Sequence, residues 1–529
     1  MILDVAGSIP VGRPNRWPLM SGDAILRDLV PSDDLALLTC AEMASADAAA
    51  IDSGVSGTEL MEAAGAAVSH AVQGRYLPQP TVVLCGPGNN GGDGFVIARH
   101  LAAAGWPVRI GLLGVRGNLA GDAAWAADLW EGQVDALSLD LLEGRPLVID
   151  ALFGAGLSRP IGGVAAALIG HINAEALSVV SVDVPSGLQG DSGEIMGCAP
   201  IAELTVTFFR AKPGHYSTQG RVRCGDLKVV DIGIPRSVLA EIAPRIWLNE
   251  PPLWRDGLAR EGLFDHKYAR GHVTILGGAE ATGAARLAAL AARRIGAGLV
   301  TIASPQGAMA IYQAAEPGNL VRRIDSGASF ARLLGDERRN AILLGPGSGL
   351  TSRTRLSVLA ALATGRAVVL DADALTVFAE DPQVLFDAIA GPVLLTPHEG
   401  EFRRLFPQLG KVAGKVERVR QAAALSGVTV LLKGPDTVVA SPEGLAVINV
   451  HAPATLATAG SGDVLAGLAA GMMAQGLGAL AAGAAAAWVH GECAFQFGGP
   501  GLIAEDLILH IPHTLEVVAA PPHLANRDR

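Results

Sequence analysis

From Leu35 onward, short β-branched runs alternate with Ala-rich stretches. That is the pattern of strands buried on both faces and joined by the helices that cover them. The clearest unit predicts a strand over Thr81–Cys85, a loop over Gly86–Gly94, a helix over Phe95–Ala104 and a strand over Pro107–Leu113. Further buried strands are expected at Leu147–Asp150, Ser178–Asp183 and Leu204–Phe209. A second series runs through His272–Leu276, Leu299–Ala303, Ala341–Leu344, Ala367–Leu370, Val393–Leu395, Thr429–Leu432 and Thr437–Ala440. Between the two, Pro244, Pro251, Pro252 and scattered charges mark a linker over 245–260. Residues 1–33 show no periodicity and read as an extension. The division is therefore an extension, an α/β domain over 34–244, a linker, and a larger α/β domain over 261–520.

Composition narrows the function more than the fold. A length of 529 residues suits two to four domains. The net charge of −11 lacks the basic face that nucleic-acid binding needs, so no nucleic-acid partner is expected. Val464 to Val489 carries no charge and meets the length rule for a membrane span. Its Ala and Gly content, Gln475 inside it, and the break at Gly476 and Gly478 favour two buried helices, hence no membrane. No secretory leader is visible, and the cysteines at 40, 85, 198, 224 and 493 form no CxxC pair. A reducing, cytoplasmic setting is expected.

Parallel sheets bind ligands beyond the carboxyl ends of their strands, so those ends carry the candidate chemistry. After TVVLC comes GPGNNGGDG, in which Gly86, Gly88 and Gly91 satisfy a dinucleotide-type GxGxxG. The next strand, VRIGLLG, lacks the terminal acid that would grip an adenosine ribose, which weakens a plain NAD dehydrogenase reading. The loop instead offers Asn89, Asn90 and Asp93 at a helix N-terminus, a position that favours phosphate. Two further strands end in Asp150, followed by a glycine loop over 154–156, and in Asp183, followed by Pro185 and Ser186. Strand-end aspartates often just cap the following turn, but three such ends meeting at one sheet edge point to a site. Asn90, Asp150 and Ser186 supply only oxygen, which suits a hard cation and not zinc. Asp183, in a crevice beside a desolvated ring, is expected to have the raised pKa of a general base.

NNGGDG, DALFGAGLSR, DVPSGL and FFRAKPGHY, in that order, resemble the NAD(P)H-hydrate epimerase domain. The resemblance implies a Rossmann-like fold, a bound potassium ion, and interconversion of the R and S forms of NADHX and NADPHX at carbon 6 of the nicotinamide. Carried over motif by motif, Asn89, Asn90, Gly91, Gly92, Asp93, Gly154, Ala155, Gly156, Leu157, Ser158, Arg159, Pro160 and Asp183 would hold the substrate. Asn90, Asp150 and Ser186 would bind potassium, and Asp183 would transfer the proton. Some relatives of this domain are non-enzymatic, so a pure binding module is the alternative.

In the second half the decisive string is LATAGSGDVLAG. The amides of Gly460, Ser461 and Gly462 open an apolar helix and are expected to form an anion hole, with Asp463 on the first turn within reach of a reacting group. LLKGPDT puts Lys433 at a strand end; LLTPHEGEF puts His398, Glu399 and Glu401 after another. LLGPGSGL and VLDADAL add two more ends, although Asp371 and Asp373 are equally readable as turn residues. HKYARG, GGAEATGAARLAA, LGPGSG, DADAL, TPHEGEF, KGPDT and AGSGD together resemble the NAD(P)H-hydrate dehydratase domain, a ribokinase-like fold. Ala459 stands where the family has Gly, and Ala454–Leu456 replaces a Pro-Gly-Met element.

The resemblance implies loss of water from the S hydrate at the expense of ADP with magnesium. It assigns the hydrate to Ala284, Gly349, His398 and Asp463, and the nucleotide to Lys433, Gly434, Pro435, Asp436, Thr437, Gly460, Ser461 and Gly462. Phosphorylating the carbon 6 hydroxyl makes it a good leaving group, with Asp463 taking its proton. A ribokinase-like small-molecule kinase with a regulatory first domain is the rival reading. A homo-oligomer is expected.

Overall fold

The computed structural model describes residues 33–259, 262–264 and 266–520; most of the expected extension lies outside them. Among the described residues the principal strands form two sheets, one of seven strands and one of eleven. Both halves are α/β, as their alternating runs predict. The chain enters through β1 (Ala36–Leu37) and the helix Cys40–Asp52. The first half then gives β2 (Thr81–Cys85), β3 (Val108–Leu112), β4 (Val134–Ala136), β5 (Leu147–Ala151), β6 (Val179–Val182), β7 (Leu204–Phe208) and β8 (Asp226–Val230). They lie parallel in the order β4-β3-β2-β5-β6-β7-β8. The order reverses between β2 and β5, so the loops leaving these neighbours diverge and open a crevice.

Alternation along β2 divides the core into two layers. Val83 and Cys85 pack with the helices Gly57–Arg75 and Asn89–Ala103, while Val82 and Leu84 pack with Gly163–Ala174. The helix after β2 starts at Asn89, earlier than the expected Phe95, so NNGGDG is its first turns and not a loop. Gly91 makes this tight start possible: a Cβ there would sit 1.9 Å from the Gly86 carbonyl oxygen.

The second half contributes β9 (Ile246–Leu248), β10 (His272–Leu276), β11 (Leu299–Ser304), β12 (Leu320–Arg323), β13 (Ala341–Leu344), β14 (Ala367–Leu370), β15 (Val393–Leu395), β16 (Thr429–Leu432), β17 (Thr437–Ala440) and β18 (Ala446–Asn449). The sheet order is β1-β9-β18-β17-β16-β15-β14-β13-β10-β11-β12, parallel from β16 to β12 and antiparallel through β16, β17 and β18. The uncharged stretch forms two buried helices, Ser461–Ala474 and Ala479–Phe497, separated around Gly476 and Gly478. Gly467 packs against the helix Thr282–Arg294 so closely that a Cβ would lie 2.3 Å from the Ala288 carbonyl oxygen. Among the described residues no helix is long and apolar enough to cross a membrane.

The linker expectation is overturned. Ile246, Trp247, Leu253 and Trp254 are buried, β9 pairs with β18 and with β1, and Asn249 donates to Asn449 (2.9 Å) and to the Ala484 carbonyl (2.7 Å). Pro251 opens a 3₁₀ turn that tucks Trp254 into the core and marks no flexible joint.

Candidate active sites

The crevice between β2 and β5 opens into a cavity of about 620 Å³. Asn89, Asn90 and Asp93 from the helix start, Gly154 to Arg159 from the loop after β5, and Asp183 after β6 all line it. Gly91 and Gly92 are buried inside the helix turn, and Pro160 is exposed outside the lining. Asp150 and Ser186 are buried. Asp150 accepts from Ser186 Oγ (2.6 Å), Ser186 N (2.8 Å) and Ser181 Oγ (3.1 Å). Burial pushes its carboxyl up, and the bonds from Ser186 and Ser181 oppose that.

Asp183 adopts φ +62, a left-handed conformation unfavourable for a residue with a side chain. Its strain is held by the fold: its N–H donates to Val206 O (2.8 Å) and its carbonyl meets His215 Nε2 (2.9 Å). Lys212 Nζ and Thr207 Oγ1 donate to its Oδ1, and Ala155 N to Oδ2 (3.3 Å). Burial works most strongly to raise the Asp183 pKa, but the fully buried ammonium of Lys212, together with His215 and Thr207, outweighs it and holds the carboxyl below its ordinary value. The raised pKa expected for Asp183 is therefore corrected: this group is an anion. The buried His215 is pushed down to about 4 and is neutral. Asp93 has its carboxyl pushed well above its ordinary value, by burial first and then by the nearby Asp183 and Asp47. Lys212 lies within the FFRAKPGHY string, but nothing local ties it to Asp183, so its role is legible only in three dimensions.

In the second half a cavity of about 430 Å³ is lined by Lys433, Gly434, Pro435, Thr437, Ser461, Gly462 and His398. Gly460 caps the helix Ser461–Ala474 with φ +84. Ser461 N turns back to Thr458 O (3.4 Å), while its hydroxyl meets His490 Nε2 (3.0 Å). Ser461 is thus less free than an open anion hole requires, and Gly462 supplies the accessible amide. Lys433 Nζ lies above Gly462, 3.6 Å from where a Cβ would stand. It donates to Asp371 Oδ1 (2.7 Å), which also accepts from Thr396 Oγ1 (2.9 Å). Asp371 is therefore the lysine's partner and not only a turn residue. Asp463 sits nearby, raised to about 6 by burial and then by Asp371, against the pull of Lys433.

Not every expected residue converges on this cavity. Gly349 N donates to Asp373 Oδ2 (2.8 Å), and its loop packs on the segment before Ala284, where Gly347 approaches Ala281 O. Ala284, Gly349 and Asp463 lie outside the cavity lining. His398 caps the helix Glu399–Leu405 through Nδ1 and keeps an exposed ring. Asp436 departs from expectation: its carboxylate pairs with Lys415 (2.9 Å) and accepts from Thr218 N (2.9 Å) of the first half, away from the cavity. Arg221 adds a bond to Pro435 O (2.9 Å), so the loop between β16 and β17 rests on the segment that follows Lys212.

Comparison with known proteins matches this division. Residues 273–508 fit the family described as NAD(P)H-hydrate dehydratase, and residues 57–214 that described as YjeF-related protein N-terminus. A bifunctional NAD(P)H-hydrate repair enzyme Nnr from Moorella thermoacetica is 36% identical over 517 residues, covering 90% of this chain and 96% of that protein. The protein of the same name from Salinibacter ruber is also 36% identical, over 90% of this chain and 95% of its own. The structure of the ADP/ATP-dependent NAD(P)H-hydrate dehydratase from Bacillus subtilis, co-crystallized with ATP/Mg2+, is 29% identical, covering 51% of this chain and 98% of that one with a TM-score of 0.46. The chain belongs to the family of bifunctional NAD(P)H-hydrate repair enzymes.

Proposed function

We infer that the chain repairs hydrated NAD(P)H in two coupled halves: the first interconverts the R and S hydrates, and the second dehydrates the S form at the expense of a nucleotide. The observation that carries this reading is the second site. Lys433 is committed to Asp371, which leaves Asp463 with a pKa near 6 at the mouth of a helix whose Gly462 amide faces a ligand-sized cavity. A carboxylate of that pKa is ionised at neutral pH and still basic enough to take a hydroxyl proton. The nucleotide is ADP, bound by Lys433, Gly434, Pro435, Thr437, Ser461 and Gly462. Its terminal phosphoryl passes to the carbon 6 oxygen, AMP leaves, and Asp463 accepts the hydroxyl proton. The ring nitrogen lone pair then expels phosphate, and loss of a proton from carbon 5 restores the double bond. The Gly462 amide and Lys433 offset charge on the transferred group.

Magnesium would come bound to the nucleotide phosphates, whose oxygens suit it. The potassium expectation rests on a different donor set, the oxygens of Asn90, Asp150 and Ser186. This set fits a hard monovalent ion: Asp150 and Ser186 adjoin, and the buried Asn90 Nδ2 has no partner, so a turned amide would present oxygen there instead. Bound there, the ion would balance the buried Asp150 charge and fix the loops around the substrate. The anion Asp183 stabilises positive charge on the ring. A cytoplasmic homo-oligomer completes the proposal.

The test is to supply each purified hydrate with ADP, ATP or neither and follow the absorbance of reduced nicotinamide. The S hydrate should yield NADH only with nucleotide, and the R hydrate should follow more slowly, through epimerisation. Phosphorylation of a small alcohol with no NADH formed would transfer the case to the kinase reading.

A further inference from the structure

The first cavity has a roof the sequence motifs do not describe. The helix Cys40–Asp52 faces it with Cys40, Met43, Ala44, Asp47 and Ile51, positions that share one helical face. The helix Gly57–Arg75 adds Gly57, Leu60, Met61 and Ala64 on the same principle. Across these two helices the face is apolar except at one position, Asp47. Ordinarily a carboxylate on such a stripe is a solvated edge residue. Asp47 is instead half-buried and aimed into the ligand cavity, with no hydrogen bond to its carboxylate among the described residues. The helix's other acids are occupied or turned away: Glu42 completes the capping box with Thr39, and Asp52 lies outside the cavity lining.

We propose that Asp47 is the proton donor of the epimerisation, acting on the carbon 6 oxygen from the roof while Asp183 faces the ring from the sheet. This deepens the assignment of the first cavity to epimerisation and rests on it. In the forward direction Asp47 gives its proton to the carbon 6 hydroxyl, the C6–O bond breaks with its electron pair going to oxygen, and water leaves. The lone pair of N1 forms the N1=C6 bond, and the positive charge falls under the Asp183 carboxylate. Water then adds to carbon 6 from the opposite face, its electron pair forms the new bond, and N1 regains its lone pair. The proton it releases returns to the Asp47 carboxylate, which resets the donor.

The charged and titratable groups facing Asp47 set its protonation: Asp93 and Asp122 from the helices below, Asp183 after β6, Lys212 after β7, Arg159 after β5 and Cys40 two turns earlier on the same helix. Burial first, then Asp183, raises it to about 6 against the opposing pull of Lys212. Cys40, pushed up by burial to about 12, stays neutral.

The experiment measures R-to-S conversion chromatographically in the full chain, with nucleotide-dependent dehydration of pure S hydrate as the readout of an intact fold. Asp47→Asn should cut the kcat of epimerisation by roughly 10²–10⁴, with little change in KM and dehydration retained. Asp47→Glu should restore part of the rate. In the wild type the rate should fall on the alkaline side of the Asp47 titration, and that limb should be absent in Asp47→Asn. Unimpaired epimerisation by Asp47→Asn would overturn the proposal alone, as would a loss confined to KM. A wild-type chain that leaves both hydrates unconverted would overturn the epimerase assignment itself, and the proposal with it.

Discussion

The two halves of the molecule place a lysine beside a pair of carboxylates, and they differ in which carboxylate the lysine takes. In the first, Lys212 goes directly to the strained Asp183 and holds it ionised. In the second, Lys433 goes to Asp371, and the residue next in line, Asp463, is left with a raised pKa. An aspartate at a strand or helix end is thus not a base or an acid by position. The partner chosen by the nearest ammonium decides, because one pKa unit is only about 1.4 kcal/mol and a single buried pair exceeds that.

Four substitutions would break or sharpen this contrast. The largest effect is expected from Asp463→Asn, which removes the proposed base: dehydration should fall by roughly 10²–10⁴ while epimerisation, measured on the same preparation, persists. Next is Lys212→Met, which keeps the volume and removes the charge. Asp183 then loses the opposition to burial, its pKa rises, and epimerisation should drop by on the order of 10² with a new acid limb in the pH profile. Asp371→Asn should have a smaller effect on rate and a clear one on pH. The charge that raises Asp463 disappears and Lys433 is released toward it, so the acid limb of dehydration should move below the value of about 6 expected for the wild type. The smallest effect on catalysis is expected from Asp436→Asn. Its carboxylate serves Lys415 and Thr218, so the nucleotide KM should barely change, while the melting temperature falls by a few degrees, about 1–3 kcal/mol for a loosened buried partner.

The sequence displayed the central strands plainly, because β2, β10, β13, β14 and β16 are short, largely apolar runs, β2 and β10 being flanked directly by Gly or Pro. It concealed the edge strands. β8 reads DLKVV and β12 reads LVRR, charged as edges tend to be; it also concealed the interior β9, only the three residues IWL. The same division holds at the sites. The motif around Asp463 and the strand-end Asp183 stand out in one dimension. The pairings that govern them join residues 29 and 62 positions apart, Lys212 with Asp183 and Lys433 with Asp371, and no local spacing announces either. Asp436 was misplaced for the same reason: its partner Thr218 lies 218 residues upstream.

The strand β9 leaves a mark on how this chain is made and divided. It lies between β18, near the end of the second half, and β1, at the start of the first. During synthesis β1 must wait without an edge until both later strands have emerged from the ribosome. A gene split just before β9 would strand β1 on one polypeptide and leave β9 as a bare edge on the other, an invitation to aggregate. The two activities are stitched together by shared cloth, and not merely tied by a thread.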